Sequence, residues 1–104
     1  MASVLQKLIG LTITRVVELQ GYVQLHFGDE IGLTIYNKML VEPTGRCAAD
    51  LPGKMLTSIE EEQKGITMNF IDGSRVRIDM RPEAYKGPEA LQLTREGEAP
   101  VIWN

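Results

Sequence analysis

One cysteine, Cys47, and one histidine, His26, stand in a chain of 104 residues. A single thiol closes no intramolecular disulfide, and with a single imidazole it falls short of the ligand set of a structural zinc site. Histidine-dependent acid–base chemistry has one possible centre. The eleven Lys and Arg residues, set against fourteen Asp and Glu, are scattered without a run of four. A nucleic-acid binder draws much of its affinity from a basic patch that neutralises phosphates. The net charge of -3 and pI near 5.1 therefore argue against nucleic acid and favour another protein, a basic one, as partner. Long apolar runs are also missing. None approaches the roughly 18 residues of a spanning helix, and the opening stretch to Ile9 has no basic segment ahead of a long apolar core. No membrane association is expected, and cytoplasmic location follows as the default. The sequence carries no cofactor or metal signature.

What the chain does have is alternation. Its hydrophobic share of 43% and charged share of 24% are those of a folded globular protein, and its length suits a single domain, 1–104. The clearest pattern runs from Lys64 to Met80, two alternating segments joined at Asp72-Gly73. Residues opposite one another on antiparallel strands share a face, so the inward set Ile66, Met68 and Phe70 must meet Val76 and Ile78 rather than Arg75 and Arg77. Pairing Met68 with Val76 and Ile66 with Ile78 leaves a loop of Ile71, Asp72 and Gly73. A type I turn followed by a left-handed glycine fits that loop.

A diverged copy lies 43 positions earlier. The identities are Leu8/Leu51, Gly10/Gly53, Thr14/Thr57, Glu18/Glu61, Gln20/Gln63, Phe27/Phe70, Asp29/Asp72 and Ile35/Ile78, and apolar pairs such as Ile13/Leu56, Val16/Ile59 and Leu25/Met68 keep the same phase. This predicts an internally duplicated three-stranded antiparallel meander, 8–37 and 51–80. In the first copy the register sets Leu25 opposite Leu33 and Val23 opposite Ile35, with Gly28-Asp29-Glu30 as the loop. Glycine comes first there, and a left-handed Glu30 would cost about 1 kcal/mol or more, so a different turn is expected.

The remaining segments read more simply. Val4, Leu5, Leu8 and Ile9 suit one face of a short helix capped by Ser3 and stopped by Gly10. Residues 38–50, with Pro43 and Gly45, read as a loop-rich connector in which a helical turn near Arg46–Asp50 is allowed. Pro82 suits the first position of another turn. A C-terminal hairpin, 90–103, closes the chain. The fold class is therefore mainly β, a small β-sandwich or partly open barrel with at most one or two short helices. Its predicted core is Ile13, Val16, Val23, Leu25, Phe27, Leu33, Ile35, Leu56, Ile59, Ile66, Met68, Phe70, Val76 and Ile78.

No catalytic constellation emerges. His26 points outward with Tyr22 and Gln24 as a solvated strand residue, and no motif ties it to a serine or cysteine. Asp29 and Asp72 are explained by their turns, and Cys47 by a small, partly buried site beside Ala48 and Ala49. Glu60-Glu61-Glu62 reads as a solvated strand edge or a docking patch for a basic partner. The outward sets carry Tyr22, Gln24, His26, Thr34 and Tyr36 in one copy and Arg75 and Arg77 in the other, residue types enriched at interaction hot spots. Tyr85 and Glu89 add a candidate loop.

The function expected is a non-enzymatic protein-binding module, either an acidic toxin-neutralising (immunity-type) protein or an adaptor. Its binding residues are drawn from Tyr22, His26, Tyr36, Arg75, Arg77, Tyr85 and Glu89. The alternative is a small-ligand-binding β-barrel, or a minor hydrolytic enzyme using His26 with a turn carboxylate. Self-association as a homodimer, through an unpaired edge strand or a sheet face, is a third reading.

Overall fold

A computed structural model describes residues 3–28 and 30–104. Nine strands form two antiparallel sheets: β1 (Ile13–Leu19), β2 (Tyr22–Phe27), β3 (Ile31–Ile35), β4 (Met39–Glu42), β5 (Leu56–Glu61), β6 (Gly65–Phe70), β7 (Arg75–Asp79), β8 (Leu91–Arg95) and β9 (Val101–Trp103). The five-stranded sheet has the order β1-β2-β3-β8-β9 and the four-stranded sheet β4-β7-β6-β5. Short 3-10 turns at Val4–Leu8, Ala48–Asp50 and Pro82–Ala84 occupy the three places where the sequence permits a helical turn.

Both hairpin registers follow from matching apolar faces. Met68 lies opposite Val76 and Ile66 opposite Ile78, while Leu25 lies opposite Leu33 and Val23 opposite Ile35. In the β6–β7 turn the Gly73 N–H donates to the Phe70 carbonyl at 3.0 Å and the Phe70 N–H to the Ser74 carbonyl at 2.8 Å. Gly73 has φ 90°, the left-handed conformation that glycine adopts without penalty. The β2–β3 turn is built differently. Gly28, its first residue, is left-handed at φ 67°, and no described non-glycine residue has positive φ, so Glu30 avoids that strain. Asp29 lies outside the described residues.

The 43-residue shift relates the two meanders bond for bond. Ile13 pairs with Phe27, and the ladder then slips at Thr14 before Arg15 meets His26. Leu56 pairs with Phe70, and the ladder slips at Thr57 before Ser58 meets Asn69. The slip is a β-bulge that turns each threonine hydroxyl back onto the partner strand. Thr57 donates to the Asn69 carbonyl at 3.0 Å, and Thr14 lies 3.3 Å from the equivalent His26 carbonyl and 2.9 Å from the Gly28 carbonyl beyond it. Where the sheets meet, Thr12 bridges its own counterpart, Met55. Around that bridge the bonds are reciprocal. Gly10 N–H donates to the Leu56 carbonyl at 2.8 Å and Gly53 N–H to the Ile13 carbonyl at 2.7 Å, while Ile13 N–H reaches the Lys54 carbonyl and Leu56 N–H the Leu11 carbonyl, both at 2.9 Å. A local twofold axis thus passes between Thr12 and Met55.

One strand departs from the sequence reading. Residues 39–42, read as part of a loop-rich connector, form β4, and this strand crosses from the first meander to the sheet of the second. It lies beside β7, with Met39 opposite Ile78 and Val41 opposite Val76. Reciprocally, β8 leaves the second meander and joins β3, with Leu91 opposite Ile35 and Leu93 opposite Leu33. Each meander lends its fourth strand to the other's sheet, which locks the two halves together.

The core lies between the sheets. Every predicted core residue is buried except Val16, on edge strand β1, and Val23, near the Gly21 turn, which are partly buried against it. Leu5, Leu8 and Leu51 add three side chains no more than 1% exposed. They enter from the 3-10 turns, so these short segments plug the ends of the sandwich.

Candidate binding face

On the outer side of the five-stranded sheet, pairing sets up rows of side chains that run across strands distant in sequence. One row is Val17, Gln24, Thr34, Gln92 and Ile102. The next is Arg15, His26, Gly32 and Thr94. Leu19 opposite Tyr22 extends the surface toward Tyr36. The rings of Tyr22 and Tyr36 lie tilted with centroids 5.9 Å apart, a geometry in which aromatic pairs attract beyond simple burial. Tyr36 Oη and Gln92 Oε1 are 3.2 Å apart, Gln24 Nε2 approaches Thr34 Oγ1 at 3.5 Å, and Thr94 Oγ1 donates to the Gly32 carbonyl at 3.2 Å. These bonds tie polar side chains to one another and to the backbone across the face. Leu19 and Ile102, 47% and 44% exposed, flank it with uncovered apolar surface. Arg15, on edge strand β1, carries the only formal charge in these rows.

His26 departs from the expectation of a solvated ring. It is half-buried, and a side chain at Gly32 would come within 3.6 Å of its Cε1 and Nδ1. The imidazole thus lies over Gly32 at ordinary contact distance. His26 Nε2 is buried without a hydrogen-bond partner. Burial lowers its pKa from the ordinary histidine value, and Arg15, directly opposite, lowers it further. A neutral ring suits the uncharged face. Two surface concavities, one beside Lys38 and Lys64 and one between Gly10 and Ile31, do not include His26.

The other candidates lie elsewhere. Arg75 and Arg77 are on the outer side of the four-stranded sheet, among Glu42, Asp79 and Glu60, with Arg77 Nη1 3.6 Å from Glu42 Oε1. Tyr85 and Glu89 belong to the connection between β7 and β8, and Tyr85 packs against the core. The seven residues therefore divide among three places: Tyr22, His26 and Tyr36 share the outer face of the five-stranded sheet, Arg75 and Arg77 that of the four-stranded sheet, and Tyr85 and Glu89 the β7–β8 connection. Val17, Leu19, Gly32, Gln92, Thr94 and Ile102 complete the first of these. For Gln92, Thr94 and Ile102, membership depends on β3 pairing with β8, which leaves no short-range pattern.

No protein-family model, curated protein or solved structure matches this chain. Asp72 is committed to structure: its carboxylate accepts from the Ser74 N–H at 2.9 Å and the Ser74 hydroxyl at 3.0 Å, pairs with the Lys54 ammonium, and lies 3.4 Å from Arg46 Nη1. The Lys54 hydrogen bond, aided by the Ser74 N–H, holds it well below the usual carboxylate range. Cys47, expected to be partly buried, is exposed, because it precedes the Ala48–Asp50 turn and its N–H bonds the Asp50 carboxylate at 2.9 Å while Ala48 takes the buried position. The three glutamates at the end of β5, Glu60, Glu61 and the following Glu62, are dispersed. Glu60 accepts from Asn69, Glu61 from Ser3 and Gln6, and Glu62 lines the concavity beside Lys64. Among the described residues no three His, Cys, Asp or Glu side chains converge as a metal site, and no helix is long and apolar enough to cross a membrane.

Proposed function

We propose that this chain is a non-enzymatic protein-binding module that meets its partner through the outer face of the five-stranded sheet. The observation that carries the reading is the composition of that face: the Tyr22–Tyr36 pair, bordered by Leu19, Val17 and Ile102, with hydrogen-bonded Gln and Thr side chains, the half-buried His26 ring and one peripheral cation. Interface cores are rich in aromatic residues and depleted of charge. The opposite sheet presents Glu42, Glu60, Arg75, Arg77 and Asp79 across its outer surface and has the character of a solvated face. The chain's charge of -3 would steer a basic partner toward the molecule while the uncharged face makes the contact. An acidic toxin-neutralising protein or an adaptor would be built this way.

The test is affinity capture from the source cells with wild-type, Tyr22→Asp, Tyr36→Asp and Arg75→Asp baits, read by mass spectrometry. A partner recovered by wild type and Arg75→Asp but lost with either tyrosine variant supports the proposal. Recovery of no protein above background, or recovery indifferent to Tyr22 and Tyr36, overturns it. The chosen residues are half-buried or exposed, and circular dichroism of each bait separates lost binding from lost folding.

A further inference from the structure

A second interaction surface lies on the other sheet, at its free edge. Strand β4 pairs with β7 alone. The Asp79 N–H donates to the Lys38 carbonyl at 3.0 Å, which fixes the phase of the antiparallel ladder: Lys38, Leu40 and Glu42 bond to β7, while the N–H and C=O groups of Met39 and Val41 point away from it. Among the described residues no hydrogen bond outside that ladder engages Met39 or Val41 backbone. An edge of this kind is a template for another strand. Leu40, on the outer face at its centre, is 57% exposed.

The sequence of this edge is self-complementary. In an antiparallel pairing of Lys38-Met39-Leu40-Val41-Glu42 with itself about a twofold at Leu40, Met39 of each copy exchanges hydrogen bonds with Val41 of the other, the two residues whose backbone groups face outward. Leu40 then meets Leu40 of the second copy as a non-hydrogen-bonded pair, the position at which side chains approach most closely. Lys38 meets Glu42 of the second copy at both ends. Glu42 Oε1 has no hydrogen-bond partner of its own, with Arg77 at 3.6 Å. Shifting the pairing by two residues in either direction sets Leu40 against Lys38 or against Glu42, so charge and apolar matching select one register.

We propose that the chain is a homodimer formed by antiparallel pairing of β4 with β4 of a second copy, which fuses two four-stranded sheets into one continuous sheet. The dimer leaves the five-stranded sheets uncovered and presents the face with Tyr22 and Tyr36 twice. This stands independently of the partner-binding reading, which concerns the opposite side of the molecule.

Sedimentation of the full chain at two concentrations tests it. Wild type sediments as a dimer at about 100 μM, a concentration well above the micromolar dissociation constant of an ordinary interface. Lys38→Glu alone sets like charges together at both ends, as does Glu42→Lys alone, and each weakens self-association by about 10- to 100-fold. An equimolar mixture of the two restores opposite pairs and reassembles a heterodimer. Val41→Pro removes an N–H that points away from β7, so the monomer keeps its circular dichroism spectrum and the dimer is lost. A wild-type monomer at that concentration, or dimers that form undiminished in both single charge variants, would overturn the proposal.

Discussion

Truncating one of the leucines that plug the ends of the sandwich probes the arrangement directly. Leu51 is fully buried and closes the Ala48–Asp50 turn, with its N–H donating to the Ala48 carbonyl and its own carbonyl accepting from Lys54, both at 3.1 Å. Leu8 is its counterpart, 1% exposed, with its carbonyl accepting from Leu11 at 3.0 Å. Leu51→Ala deletes three carbon atoms from a site held by backbone bonds that resist collapse. The transfer contribution is about 2.4 kcal/mol at ~0.8 kcal/mol per buried carbon, and the residual cavity raises the cost to about 3–4 kcal/mol. For a chain of 104 residues, an unfolding entropy near 2.1 cal/mol/K per residue converts that into a fall in Tm of about 14–18 °C. Urea unfolding of wild type, Leu8→Ala and Leu51→Ala should show losses that agree within about 1 kcal/mol, with the urea dependence unchanged. Ile71→Ala, at a side chain 64% exposed, serves as the control and should stay within about 0.5 kcal/mol of wild type. A loss below about 1 kcal/mol for Leu51→Ala, with a normal loss for Leu8→Ala, would refute the claim that both plugs support the core in the same way.

Three further outcomes follow from the geometry. Gly73→Ala forces a Cβ into the left-handed position at φ 90° and should cost about 1–2 kcal/mol in the same urea assay. His26 is harder to protonate in the fold than in the unfolded chain; its contribution to stability is therefore present above the unfolded pKa of about 6.5 and lost as pH falls below it. His26→Gln should remove this part of the pH dependence, and NMR titration of wild type should place the imidazole below its ordinary value. Asp79 is lowered to about 2, first by hydrogen bonds from the Arg81 side chain, and Asp72 is held low by Lys54. Both stabilise the fold above about pH 4, and a second decline, reduced in Asp72→Asn, should appear as pH falls from there toward 2.

The parts of this fold legible in the sequence are those governed by neighbours. Alternation of Ile66, Met68 and Phe70 against Val76 and Ile78 determines a hairpin register because a one-residue slip would turn every apolar side chain to the solvent. The 43-residue comparison carried the same reasoning to the weaker first copy. Longer-range pairing left no such trace. Met39 and Val41 alternate over only four strand residues before Pro43, too short a signal to distinguish from a connector. Their role depends on β7, a strand supplied by the other meander. Of the candidate face, Tyr22, His26 and Tyr36 are legible in the sequence, whereas Gln92, Thr94 and Ile102 join it only through the β3–β8 ladder. Arg75 and Arg77 looked equivalent to the tyrosines as outward residues, and the structure puts them on the opposite sheet.

The fold also explains how the two outer surfaces can differ in chemistry. The inward rows are constrained in both meanders by the same core, while the outward rows are free to differ. In one sheet they have become Tyr, Gln, Thr and His; in the other, Arg, Glu, Asp and Asn.

Site-specific photo-crosslinking in the source cells tests the binding-face claim most directly. A photoreactive side chain placed at Gln24, central to the five-stranded face, should yield a covalent adduct with a second protein. The same group at Asn69, on the outer side of the four-stranded sheet, should yield none with that protein. Adducts to it from Asn69 and none from Gln24 would contradict the account.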